Sequence, residues 1–185
     1  SKLDAARRAV RVLLRALDLA GGDQAAIVAF NDRAQVVRQL TSIESDLSDA
    51  LDRIDVAQHT RIHLGIEEAH LELASARHRP ANGRAMVVLT DGVNNPEPVA
   101  EALERAARAK ADGIRVFVVG LGEDVDAHAL KDIASHAQDY YFAPTAQDLA
   151  RILDDIGRTI PCPPEVSWPR RESTDGWESG MSLFA

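Results

Sequence analysis

The chain has 185 residues, enough for one domain with a sizeable core, and its 45% hydrophobic and 27% charged content is ordinary for a globular protein. Asp plus Glu number 29 against 21 Lys plus Arg, for a net charge of -8. That balance argues against nucleic acid as the main partner, because phosphate binding needs a basic face, and it suits a cation site or a basic partner.

Ser1-Lys2-Leu3-Asp4 reads as a capping box that opens an amphipathic helix. Leu3, Ala6, Val10, Leu13, Leu14 and Leu17 recur at helical spacing, while Arg7, Arg8, Arg11 and Arg15 are expected on a solvated face. The helix should end near Ala20-Gly21-Gly22. Ala25 to Phe30 is a short apolar run and a buried strand. After the turn Asn31-Asp32-Arg33, Ala34 to Leu40 returns as a more polar strand, so the pair reads as a hairpin whose second strand lies at a sheet edge. Thr41-Ser42-Ile43-Glu44 reads as a second capping box before a short helix carrying Leu47, Ala50, Leu51 and Ile54.

A polar loop, Gln58-His59-Thr60-Arg61, leads into a helix from about Ile62 to Arg77. Met86 to Leu89 has no polar alternation, as expected of a strand buried on both faces of a parallel sheet, and it stops at Thr90-Asp91-Gly92. Pro96 and Pro98 precede a helix that ends near Asp112-Gly113. Ile114 to Val119 is the next strand, followed by Gly120-Leu121-Gly122. A short helix over about Ala127 to Ala134, a brief strand Tyr140-Tyr141-Phe142 and a last helix capped by Thr145 complete the pattern. From Glu165 to Ala185 no regular period is visible. The domain is therefore placed at 1–160, and 161–185 is taken as a Pro- and Trp-containing tail or linker that lies over the surface or is partly disordered.

Strands alternating with helices imply an α/β layered sheet with right-handed crossovers. The single cysteine, Cys162, cannot form an intrachain disulfide, so cysteine usage leaves the compartment open. No apolar run approaches the roughly 18 residues of a membrane-spanning helix, and no membrane insertion by this chain is expected.

Ligands of open α/β sheets bind outside the carboxyl ends of the strands, which makes Asp91 the leading site residue. The competing reading of Asp91-Gly92 is an ordinary turn. Thr60 is either a hydroxyl ligand or the N-cap of the following helix. Asn31 and Asp32 are a turn signal first and site-rim candidates second. The six histidines, His59, His63, His70, His78, His128 and His136, do not form a metal pattern and should be solvent-facing or locally bonded. Glu123, Asp124 and Asp126 could attract a cation, although acids at helix starts are routine.

In order and spacing, Ser1 to Ala6, Ile27 to Asp32, the Thr60-Arg61-Ile62-His63-Leu64-Gly65-Ile66 entry, Leu89-Thr90-Asp91-Gly92 and Gly113-Ile114-Arg115-Val116-Phe117 resemble the von Willebrand factor A domain, of the kind common in bacterial proteins. The resemblance covers Ser1 to about Ile160. It implies a doubly wound, Rossmann-like, mostly parallel sheet with one antiparallel edge strand and helices on both faces. It also implies a metal-ion-dependent adhesion site built from three loops. Thr60 matches the second loop and Asp91 the third, so both become metal ligands. The ion implied is Mg2+, with Mn2+ or Ca2+ as alternatives, and a protein partner commonly offers it a carboxylate. An extracellular or cell-surface setting follows from the same resemblance.

One departure is large. The family's first central strand and its Asp-x-Ser-x-Ser loop precede the segment matched by Ser1 to Ala6, and they are absent from this sequence. Asp175 to Ser182 is superficially similar to that loop, but its spacing is wrong and no apolar strand precedes it. Without a central strand, the strands at Ala25 and Met86 would each expose a row of unpaired backbone groups. The expectation is a gap between them or an inserted segment.

The function read from this is a protein-binding, adhesion-type module, not an enzyme. The alternative is a metal-free structural domain of a larger protein. A phosphate-accepting or hydrolytic α/β enzyme fits less well. Gly120-x-Gly122 is followed by acids that repel phosphate, Gly-x-Ser-x-Gly is absent, and Cys162 lies in a Pro-rich tail.

Overall fold

The structure is a computed structural model that describes residues 1–55, 60–92, 98–122, 125–160 and 181–184. A six-stranded sheet in the order β2-β1-β6-β3-β4-β5 runs through the molecule. Its strands are β1 (Gln24–Phe30), β2 (Ala34–Thr41), β3 (Gly83–Thr90), β4 (Arg115–Leu121), β5 (Tyr140–Ala143) and β6 (Met181–Phe184). Only the β1–β2 hairpin is antiparallel, and it puts β2 at one edge as its more polar sequence implies.

The helices cover both faces, and strand parity decides which face each side chain serves. Ala25, Ile27, Ala85, Val87, Phe117 and Val119 point into one cluster with α1 (Lys2–Ala16), α2 (Glu44–Asp52) and α6 (Ala146–Thr159). Ala26, Val28, Met86, Val88, Val116 and Val118 point into the other, with α3 (Ile62–Leu73), α4 (Val99–Ala111) and α5 (Ala127–Ile133). Burial on both sides is why these strands read as unbroken apolar runs.

The expected first capping box forms: Ser1 accepts from the Asp4 amide and the Asp4 side chain reaches back. That helix ends earlier than expected, at Ala16 with Leu17 as C-cap, and Gly22 serves a later turn at φ 120°. The second capping box does not form. Ile43 is the N-cap of α2, and Thr41 instead accepts from the Ile43 amide at 3.1 Å. Arg7 and Arg11 are not a purely solvated face. Arg7 donates to the Asp52 and Ile54 carbonyls, and Arg11 pairs with Asp52 at 2.7 Å, stitching α1 to the end of α2.

The slot between β1 and β3 holds an inserted segment. Residues 181–184, expected in an irregular surface tail, form β6 there, parallel to both neighbours. The physical reason lies in the neighbours rather than in the tail. Two buried edges with unpaired backbone groups recruit an extended segment whose own sequence shows no strand period. The remainder of the tail, with Cys162, Trp168 and Trp177, lies outside the described residues.

Candidate functional site

The carboxyl ends of β1 and β3 and the start of α1 enclose a cleft of about 250 Å³. Asn31, Asp55, Thr60, Asp91 and Lys2 supply its polar lining, and Phe30 and Leu89 its apolar wall. The two residues singled out from sequence, Thr60 and Asp91, therefore face the same space from loops far apart in the chain.

Local bonds fix each of them. Thr90 Oγ1 accepts from the Gly92 amide at 3.3 Å and donates to the Gly92 carbonyl at 3.1 Å, forming a tight turn that turns Asp91 outward at the strand end. The Arg61 amide donates to the Asn31 carbonyl at 3.2 Å, tying the loop of Thr60 to the end of β1. Asn31 Oδ1 in turn accepts from the Arg33 amide at 3.1 Å, so Asn31 closes its own turn while it lines the cleft. The helix-capping reading of Thr60 does not hold. Arg61 is the N-cap of α3, without a side-chain capping bond. The Thr60 hydroxyl instead lies by Gly92, 3.7 Å from where a Cβ on that glycine would stand.

Asp91 is half exposed and its Oδ2 lies 3.3 Å from the Lys2 ammonium. Lys2 was not singled out from sequence. It sits in the first turn of a helix that starts beside the cleft, and only the three-dimensional packing reveals it. Asp55, just after α2, is a second carboxylate that sequence reasoning missed for the same reason.

A hard divalent cation wants about six oxygen ligands in octahedral array. Here Asp91 supplies a carboxylate that already pairs with an ammonium, and Thr60 supplies one hydroxyl. No group of three or more His, Cys, Asp or Glu able to hold a metal occurs among the described residues. The donors present do not by themselves make a divalent site.

The remaining candidates serve structure. Asp126 caps α5, accepting from the His128 and Ala129 amides at 3.1 Å. Glu123, Asp124 and His59 lie outside the described residues. His78 meets the Asn82 carbonyl at 3.1 Å and His136 meets Asp139 at 2.9 Å, both local bonds, whereas His70 pairs at 2.6 Å with Asp112 at the end of α4. His63 is buried rather than solvent-facing.

A mostly parallel, doubly wound sheet with a polar cleft over its carboxyl ends defines the class of doubly wound α/β folds. Within that class the chain belongs to the von Willebrand factor type A domain family, whose family model matches residues 1–155. Solved structures share the fold. Proximal thread matrix protein 1 from the mussel byssus superposes with a TM-score of 0.74 at 21% identity, over 85% of this chain and 40% of that one. The same protein with a zinc-occupied MIDAS motif gives 0.73 at 22% identity, over 84% and 40%. The domain of the type V pilus tip protein Mfa5 from Porphyromonas gingivalis gives 0.72 at 14% identity, over 94% and 92%. The pilus adhesin SpaC from Lactobacillus rhamnosus GG gives 0.70 at 16% identity, over 85% and 28%. The chain thus spans 40% of the byssus protein's length and 28% of the adhesin's. No curated protein matches the chain. No described helix is long and apolar enough to cross a membrane.

Proposed function

We propose that this chain is a protein-recognition module of the adhesion type, not an enzyme, that reads its partner at the cleft over the carboxyl ends of β1 and β3. The observation that carries this reading is the convergence of Asp91 and Thr60 on one polar cleft. Domains of this family are typically adhesion or structural modules, and the structurally similar proteins include a pilus adhesin, a pilus tip protein and a byssus matrix protein. The zinc-occupied motif of the byssus protein supports a cation in the complete site. In that site Asp91 and Thr60 are two of the ligands. Mg2+ is the expected ion, and further oxygens come from the family's Asp-x-Ser-x-Ser loop, a partner carboxylate and water. The setting that suits such a module is extracellular or at the cell surface, with the body of the domain at 1–160 and residues 181–184 added to its sheet as β6.

A surface bearing a glutamate-terminated peptide tests the reading. With the family's first strand and its Asp-x-Ser-x-Ser loop restored ahead of Ser1, the protein should be retained in Mn2+ or Mg2+ and released by EDTA, and Asp91→Asn should abolish retention. Equal retention in EDTA would remove the cation from the account. A second reading, a metal-free domain, is favoured by the Lys2–Asp91 pair, in which an ammonium already supplies the positive charge. It predicts no cation dependence for wild type and for Lys2→Met alike.

A further inference from the structure

Helix α1 carries five cations against one carboxylate in a chain of net charge -8, and packing uses only some of them. Lys2 reaches Asp91, Arg7 donates to the Asp52 and Ile54 carbonyls, and Arg11 pairs with Asp52. Arg8 and Arg15 are exposed and form no ion pair among the described residues. They are two turns apart, so they stand about 10 Å from each other along one face of α1. Helix α6 repeats the arrangement. Arg151 and Arg158 are 70% and 72% exposed, again two turns apart, and each meets an acid of its own helix, Asp148 at 3.6 Å and Asp154 at 2.9 Å. Exposed pairs of that kind hold their partners weakly. The two helices run side by side in the same direction. Near their amino ends, Lys2 and Ala5 share a small cavity with Thr145 and Ala146, and near their carboxyl ends Gly157 faces Leu13 and Ala16 at contact distance. Between them lies an open groove of about 380 Å³ with Val12 and Ala16 as its apolar floor, Arg15 and Arg158 at its rims, and Asp154 within it. One helical repeat back, Arg8 and Arg151 stand on the same two helices.

We propose that the α1–α6 groove docks an acidic amphipathic helix of a partner protein, on the flank of the domain and apart from the cleft of Thr60 and Asp91. The occupant's chemistry follows from the walls. Four guanidiniums in two tiers call for carboxylates that recur every two turns on both sides of the occupant, which is what a helix with glutamates flanking an apolar stripe presents. Val12 and Ala16 are apolar and small, so the stripe packs small or single leucine side chains against them. Asp154 decides against a continuous polyanion. Its carboxylate lies within the groove and repels a phosphate chain, whereas a helix spaces its acids and passes an uncharged side chain over that point. Arg8 and Arg15 have nothing to give up on binding, and Arg151 and Arg158 exchange a weak pair within their own helix for one across the interface. The groove goes beyond the cation reading and does not depend on it.

The test uses the full 185-residue chain in EDTA, so that it is blind to any divalent cation. The probe is a fluorescein-labelled peptide of three Glu-Ala-Ala-Gln-Leu-Glu-Gln repeats, and the control replaces every glutamate by glutamine. Fluorescence anisotropy in about 20 mM salt should show saturable binding of the first and not of the second, weakening about tenfold or more in about 200 mM salt. Amide shifts on binding should concentrate at Arg8–Ala16 and Arg151–Arg158. Arg8→Gln/Arg15→Gln should weaken binding about three- to tenfold, the weight of two exposed ion pairs. Arg53→Gln/Arg108→Gln changes the net charge equally at exposed positions away from the groove, and it should leave binding unchanged. All four substitutions lie at exposed positions, and unaltered thermal melts confirm that each variant folds. Absent binding, equal binding of the glutamine peptide, shifts centred on Asn31, Thr60 and Asp91, or equal losses in the two double variants would each overturn the proposal. So would tighter binding of an oligothymidylate than of the peptide, which would make the groove a polyanion site, or a salt-sensitive doubling of mass without peptide, which would make its occupant a second copy of this chain.

Discussion

Asp139→Ala should be strongly damaging at the β4–β5 edge of the sheet. Asp139 is fully buried before β5 and accepts from Arg115 Nη2 at 2.7 Å, Arg115 Nε at 3.2 Å and His136 Nδ1 at 2.9 Å. Arg115 comes from the first residue of β4 and its guanidinium stacks 4.7 Å over the Phe117 ring, so the pair locks the β4–β5 edge. Breaking a buried ion pair by removing one partner costs about 3–5 kcal/mol. The guanidinium keeps some contact with water, which favours the low end, about 3 kcal/mol. In a chain of this size that lowers Tm by about 6–12 °C. Burial pushes the Asp139 carboxyl up, but hydrogen bonds from Arg115 and His136 outweigh it and hold the group below the usual aspartate range. The folded pKa is thus depressed. The stabilisation is fully present above the unfolded value, about 3.9, and is lost as pH falls through the folded pKa. Urea titrations of wild type and Asp139→Asn should differ at pH 7 and converge in strong acid. A loss below about 1 kcal/mol for Asp139→Ala at pH 7, or a wild-type to Asp139→Asn difference independent of pH, would refute the reasoning.

Glu72 should behave alike. It accepts from the buried Leu40 amide at 2.9 Å and from Arg77 at 2.7 and 2.8 Å, so Glu72→Ala should cost about 2–3 kcal/mol by urea denaturation. Gly157→Ala would place a Cβ 2.7 Å from the Ala16 Cβ, where α6 crosses α1. Overpacking of about 1–3 kcal/mol should outweigh the gain in helix propensity, about 1 kcal/mol, and a stabilised variant would contradict this packing. Lys2→Met removes the ammonium from Asp91. Both groups are well exposed, so stability should change by less than about 1 kcal/mol, while Mn2+ affinity should rise about two- to fivefold by isothermal titration.

Much of the fold was legible because burial on both sheet faces leaves an unmistakable trace: Met86–Leu89 and Ile114–Val119 are apolar without alternation. Asp91 was legible because it ends such a run. β6 was not, because its position is set by the unpaired edges of β1 and β3, which no local pattern in Met181–Phe184 encodes. The cap at Thr41 failed because the β1–β2 hairpin continues through that residue, so the chain is still a strand where the local motif would start a helix. Lys2 and Asp55 reach the cleft through packing between distant elements, and no spacing rule in the sequence brings either of them to Asp91.

The account stands on Asp91 and Thr60 jointly facing one cleft, the proposed place of the cation. Paramagnetic line broadening by Mn2+ tests it directly, because it locates even a weak site. Amides of Asn31, Arg61, Asp91 and Gly92 should broaden first in wild type, earlier still in Lys2→Met, and not in Asp91→Asn. Broadening that begins at Asp126 or elsewhere and leaves these four amides sharp would contradict it.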